Sequence, residues 1–190
     1  MTRYTMNVDI DRCTGCYACF LACRDEFNGN DYLPHSVAQP PQAQSWIRVE
    51  ETERGGFPKP KVTYTPVMCQ QCNDAPCIDA ADDGAVYRRD DSIVLIDAEK
   101  AVGQKAIVDS CPYGVIFWNE QKALPQKCTF CAHLEGAEPR CVVACPVAAI
   151  QFGDLDDPNS EASILIKRHR GEVLHPELGN KPKVYYLEPR

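Results

Sequence analysis

Apolar and polar residues alternate at Met6, Val8 and Ile10 and run straight into Cys13, a period of two that predicts a short strand delivering the chain to a cysteine-bearing loop. Residues 28–45, rich in Asn, Pro and Gln, predict a surface excursion. The stretches 46–50 and 62–67 predict two strands on either side of Gly55-Gly56, and 86–89 and 93–96 predict a second hairpin around Asp90-Asp91-Ser92. Asn159 or Ser160 is placed to cap a short helix running to about residue 170, with Gly171 ending it. The tail, 172–190, carries three prolines and is expected to lie extended on the surface.

An internal repeat runs through this pattern. The segments Ala81-Asp-Asp-Gly84-Ala85-Val86, Cys111-Pro-Tyr-Gly114-Val115-Ile116 and Cys145-Pro-Val-Ala148-Ala149-Ile150 each place a small residue three positions on, then an apolar pair. A tight turn into a strand follows from each, and Ala81 falls where the other two copies have cysteine.

Composition narrows the class. The 190 residues are long enough for one domain with loop insertions. Aromatics are only 8% and Gly plus Pro total 26 (11 and 15), so the apolar core is small and something else must hold the fold. Twelve cysteines are the obvious candidates. A net charge of -7 argues against nucleic acid, whose phosphates call for a basic face. The longest uninterrupted apolar run, 141–150, has ten residues and contains Pro146, far short of the roughly 20 that span a bilayer. The first nine residues have neither a signal-peptide apolar stretch nor a twin-arginine pair, so the chain by its own sequence is expected in the cytoplasm, with export on a signal-bearing partner still open.

The cysteines fall into four groups. The first is Cys13-x2-Cys16-x2-Cys19-x3-Cys23, the full run of a bacterial ferredoxin; the second is Cys69-x2-Cys72-x4-Cys77, with Ala81 where a fourth would stand. The third keeps only Cys111, and counting back by the same spacing gives Ala101, Gln104 and Ile107. The fourth is Cys128-x2-Cys131-x9-Cys141-x3-Cys145. Two intervening residues let a loop wrap thiolates around one face of a cubane, while the last cysteine of the run reaches the other cluster of a pair. Reciprocal pairing then gives three complete [4Fe-4S] sites: Cys13, Cys16, Cys19 and Cys145; Cys23, Cys128, Cys131 and Cys141; Cys69, Cys72, Cys77 and Cys111. All four missing ligands, at 81, 101, 104 and 107, belong to one further site. That emptied site is expected to be filled as an ordinary apolar patch.

Other readings of the cysteines are three zinc sites and a disulfide framework. Zinc modules usually present paired C-x2-C hairpins, and a disulfide framework suits a small secreted chain. Rieske ligation would need histidines at ligand spacing, which His35, His133, His169 and His175 do not have; His133 is expected at the surface. Arg12, Arg24, Lys127 and Arg140 each adjoin a cysteine and are candidates for raising cluster potentials by their charge. Phe117 and Trp118 read as packing or partner contacts.

Over nearly its whole length, including Leu174-His-Pro-Glu-Leu-Gly-Asn-Lys-Pro-Lys-Val-Tyr-Tyr186, the sequence resembles the iron-sulfur electron-transfer subunits of the dimethyl sulfoxide reductase, or molybdopterin oxidoreductase, superfamily. Within it, 84–97, 111–120, 126–134 and the emptied site are most similar to the small subunits of the pyrogallol-phloroglucinol transhydroxylase and resorcinol hydroxylase group. The transhydroxylase small subunit continues into a β-sandwich-like domain, whereas the sequence here ends at Arg190.

The resemblance implies an α+β fold of tandem bacterial-ferredoxin-like modules with pseudo-twofold pairing of the cysteine groups and loop-rich insertions. Residues 1–152 would form the ferredoxin-like domain, with insertions about 28–68, and 153–190 a short helix and extended tail. It also implies a heterodimer with a large molybdenum or tungsten bis-molybdopterin guanine dinucleotide (bis-MGD) subunit, which alone holds the pterin and the catalytic residues. The substrate would be a polyhydroxylated aromatic. A free polyferredoxin shuttle and a zinc-stabilised adaptor are the competing classes.

Overall fold

A computed structural model of the chain describes residues 2–187, so the last three residues of the predicted tail, 188–190, lie outside it. Strand β1 (Tyr4–Asp9) carries the chain into the first cysteine loop and helix α1 (Ala18–Phe27). In α1, Cys19, Cys23 and Phe27 recur every four residues and form the buried face, so helical periodicity aims both cysteines inward.

Strands β2 (Arg48–Arg54) and β3 (Lys61–Val67) form a hairpin whose distal part is solvent-exposed on both strands. Helix α2 (Pro76–Asp79) follows the second cysteine group, and β4 (Val86–Arg88) pairs with β5 (Val94–Ile96) in a second hairpin. Helix α3 (Ala106–Asp109) precedes a third, β6 (Ile116–Asn119) with β7 (Leu124–Lys127). Helix α4 (Arg140–Val143), strand β8 (Ile150–Asp154), helix α5 (Glu161–His169) and strand β9 (Val184–Leu187) complete the chain.

The modules are visible as a repeated unit. Helices α2, α3 and α4 each carry a residue four positions before the turn, Cys77 before Ala81, Ile107 before Cys111 and Cys141 before Cys145, and Cys19 stands in the same relation to Cys23 within α1. The small residue three on from the turn is left-handed in all three repeat copies, at Gly84, Gly114 and Ala148. Module pairing is equally direct, since α1 packs on α4 and α2 packs on α3. This is the α+β ferredoxin-like fold.

The tail departs from expectation. Leu174 onward does not simply lie on the surface: β9 runs parallel to β1, opposite β8, and buries Val184, Tyr186 and Leu187. Strand β1 is therefore covered on both edges and both faces. Met6 and Val8 point to the cysteine-rich core, while Thr5 donates to the Lys183 carbonyl (2.7 Å) and Asn7 to the Ala162 carbonyl of α5 (3.4 Å). The alternation predicted a short strand, and buried Thr5 and Asn7 make it central.

The 28–45 excursion is also tied down. Asn119 and Gln126 of the third hairpin donate to the carbonyls of Ala38 (3.2 Å) and Val37 (2.6 Å). Trp46 packs on Phe27 beneath it, with ring centroids 4.0 Å apart.

Candidate metal centres

The loop that opens each of the first, second and fourth cysteine groups has one conformation used three times. The residue before the second cysteine of each of these groups is left-handed: Gly15 (φ 66°), Gln71 (φ 48°) and Phe130 (φ 53°). Such a turn folds the two thiols to one side and exposes backbone N–H groups toward sulfur. The Phe130 N–H donates to Cys128 Sγ (3.4 Å) and, in the turn after the fourth group, the Ala149 N–H donates to Cys145 Sγ (3.2 Å).

The non-glycine residues in this conformation are held by burial. Gln71 donates to the Cys128 carbonyl (3.0 Å) and accepts from the Val94 N–H (2.7 Å), and Phe130 packs edge-on against Phe152. At Gly15 the ring of Tyr64 occupies the space a Cβ would need.

All twelve cysteines are free thiols, and charge interactions link Cys13, Cys16 and Cys19 with Cys145, Cys23 with Cys128, Cys131 and Cys141, and Cys69, Cys72 and Cys77 with Cys111. Cys13 and Cys19 are raised by burial and by the charges of Cys145 and Cys16, Cys19 to about 11. Cys23 and Cys141 are raised well above the ordinary thiol value by burial and by Cys128 and Cys131. Cys72 is pushed up to about 12 by burial and by Cys69, Cys111 and Cys77. Cys77 reaches about 11 and Cys111 is raised, both chiefly by burial, with Cys69 adding to each.

The sets also touch in order. Cys19 of the first repels Cys23 and Cys141 of the second, and Cys69 of the third adds to the burial that pushes Cys128 of the second up to about 12. Buried thiols this reluctant to ionise need a compensating cation before they can act as thiolates. The set nearest the surface is the first, with Cys16 exposed and Cys13 and Cys145 half-buried.

The residues present fit a multi-iron cluster. Cys69, Cys72, Cys77 and Cys111 line a hollow of about 340 Å³, measured to include its mouth. Tyr113, only 6% exposed, lines the same hollow with its hydroxyl directed at Cys72 and Asn180. Among the described residues no three His, Cys, Asp or Glu side chains meet at a point suited to a single ion. A cubane spreads its four thiolates over four separate irons.

The emptied site is filled. Ala101 and Ile107 are fully buried and Ala81 packs against the core. Gln104 departs from the expected apolar patch: its amide accepts from the Asp82 N–H (2.9 Å) and donates to the Lys100 carbonyl (2.9 Å), stapling the second module to the third.

Of the four basic neighbours, Arg140 is paired with Glu26 (2.8 Å), Arg24 bonds to the Ala43 carbonyl, and Arg12 is exposed. Only Lys127 is buried, 2% exposed, its ammonium bonding to the carbonyls of Val94 and Cys128. His133 is a correction: its side chain is buried, stacked on Tyr32 (centroids 3.9 Å apart) and bonded to Glu26 (2.9 Å). Aromatic neighbours about 100 residues distant in sequence bury it, which no local pattern signals. Nothing in the sequence marks Lys183, 0% exposed, or Arg88 either, because basic residues are ordinarily at the surface. Burial and the nearby Arg88 guanidinium lower Lys183 to about 8, against an opposite pull from Cys69.

Repeated ligand loops, paired modules and three sets of thiols define an iron-sulfur protein of ferredoxin type. The 4Fe-4S dicluster domain family matches residues 60–155. The chain is 41% identical to the pyrogallol hydroxytransferase small subunit of Pelobacter acidigallici, over 98% of this chain and 69% of that protein. It is 37% identical to a sulfite dehydrogenase subunit of Allochromatium vinosum (100% and 85%), and 32% identical to the arsenate respiratory reductase iron-sulfur subunit of Shewanella sp. (97% and 96%). The chain belongs to the 4Fe-4S dicluster family, among the iron-sulfur subunits of molybdopterin oxidoreductases. Its role is electron transfer, and no helix of the described residues is long and apolar enough to cross a membrane.

Proposed function

We propose that the three thiol sets hold three [4Fe-4S] clusters in a line, and that the chain serves a large bis-MGD catalytic subunit acting on a polyhydroxylated aromatic. The observation that carries the first part is the reciprocal exchange of ligands. Module one lends Cys23 to the set of module four, and module four lends Cys145 back. Cys111 of module three completes the set of module two, and Ala81 leaves nothing to return. Such clusters supply one-electron storage and transfer when bound.

The chain's own residues do the rest. The Cys13 set brings one end of the line to the surface, the Cys23 set lies between, and the Cys69 set forms the far end against a filled site. The aromatic substrate class is supported by the pyrogallol hydroxytransferase small subunit, at 41% identity, and by the filled fourth site. A shortened line suits a reaction with no net electron demand, as a transhydroxylation is.

Purification of the tagged chain from its native cells tests this. We expect a much larger pterin-containing protein in stoichiometric amount and turnover of a trihydroxybenzene by the complex. A stable iron-loaded monomer would point to a free polyferredoxin instead.

A further inference from the structure

Three cations stand in the wall behind Cys69 and Cys72, and none has a carboxylate. Lys183, on the segment entering β9, sends its ammonium to the Ser92 carbonyl while its N–H donates to the Gln70 carbonyl (2.9 Å) inside the ligand loop. Arg88 on β4 holds the carbonyls of Cys72 (3.0 Å) and Asn73 from one terminal nitrogen and Ser92 (3.4 Å) from the other. Lys127, at the end of β7, holds the Val94 carbonyl from the side of Cys128. Among the described residues none of the three is in an ion pair. Asp91, whose charge also acts on Lys183, is engaged by Arg89 at 2.9 Å.

Two fully buried ammonium groups without a carboxylate are costly, and surface lysines could satisfy backbone carbonyls more cheaply from solvent. Carbonyl oxygens solvate them but leave their charge uncancelled. The negative charge within reach is that of the thiolates: Cys69 for Lys183, and Cys77 and Cys128 for Lys127. Among the described residues no comparable buried pair faces the Cys13 set, where Arg12, Arg54 and Lys61 are exposed, and Arg140 beside the Cys23 set is already paired with Glu26.

We infer that Lys183, Lys127 and Arg88 form a buried cationic wall that makes the Cys69–Cys72–Cys77–Cys111 centre the most easily reduced of the three, the electron well at the far end of the line. This rests on the three-cluster reading. A thiolate-bound cubane gains one negative charge on reduction, and fixed cations in a low-dielectric wall favour that gain. Lys127, between the second and third sets, acts on both, whereas Lys183 acts on the third.

The test is a reductive titration of the purified holo-complex followed by electron paramagnetic resonance, in wild type, Lys183→Met, Lys127→Met and Lys183→Arg. The signal of the third centre is identified by its loss in Cys111→Ala. Lys183→Met is expected to lower the reduction constant of that centre at least tenfold, about 59 mV for one electron, with the first centre unmoved. Lys127→Met should shift the second and third together, and Lys183→Arg should restore the wild-type potential.

Iron is measured beforehand, so loss of the three-cluster reading itself would appear as too little iron in wild type. Full iron with an unmoved third potential overturns the inference, as does an equal shift of all three. If Lys183→Met fails to load, Lys183→Arg decides. Loading with a near-normal potential supports a charge role, and the same failure overturns it in favour of packing.

Discussion

The ring of Tyr64 lies 2.5 Å from where a Cβ on Gly15 would stand, so the first ligand loop and the projecting β2–β3 hairpin fit together only because residue 15 has no side chain. Its positive φ of 66° adds a second demand for glycine. Gly15→Ala is expected to destabilise the protein by about 2–4 kcal/mol, combining overpacking with a left-handed alanine. Tyr64→Ala in the same chain should recover the overpacking share. Thermal unfolding of the single and double variants checks this, and strictly additive losses would contradict it.

Ile107 stands at a ligand position of the emptied site and is fully buried. Ile107→Ala should cost about 2–4 kcal/mol through loss of buried surface and the cavity left behind, while iron content stays unchanged. A fall in iron would show that this position still supports a centre.

Cys145 ties the fourth module to the first set, yet β1 is also held along both edges by β8 and β9. Cys145→Ala should therefore lose about four irons per chain and lower the midpoint of unfolding, while the secondary structure survives. Circular dichroism beside iron analysis separates these. A wholly unfolded product would mean that the clusters, not the sheet, hold the two ends together.

The ligand loops were legible in the sequence because cysteine spacing is local: Cys13 to Cys23 is one continuous loop and helix. The turns that follow Ala81, Cys111 and Cys145 were legible for the same reason, as each is a repeated local pattern. The helix predicted to run from 159 or 160 to about 170 is Glu161–His169, and both predicted hairpins are present, because caps and turns are short-range signals. Long-range partners were not legible. Parallel pairing of Val184–Leu187 with β1 joins opposite ends of the chain, and the proline-rich approach disguised it. Buried Lys183, Lys127 and His133 owe their burial to neighbours supplied by distant segments, as does the Gln104 staple.

Glu26 links α1 to α4 by accepting from Arg140 (2.8 Å), His133 (2.9 Å) and Tyr32 (3.1 Å). Burial raises its pKa, but these bonds together outweigh burial and hold the carboxyl below its ordinary value. A depressed carboxylate stabilises the fold above its unfolded pKa and loses that contribution as pH falls through the folded one. The holoprotein should thus lose stability below the ordinary carboxylate range. Glu26→Gln should cost about 1–2 kcal/mol at neutral pH and flatten the acid limb. An unchanged pH profile in that variant would exclude Glu26 as its source.

Three thiol sets and one filled site make a single count decisive. Iron, acid-labile sulfide and zinc should be determined on anaerobically purified protein, together with its absorbance before and after dithionite. The account predicts brown protein that bleaches on reduction, with about twelve iron and as many sulfide per chain. Stoichiometric zinc with little iron, or about sixteen iron per chain, would contradict it.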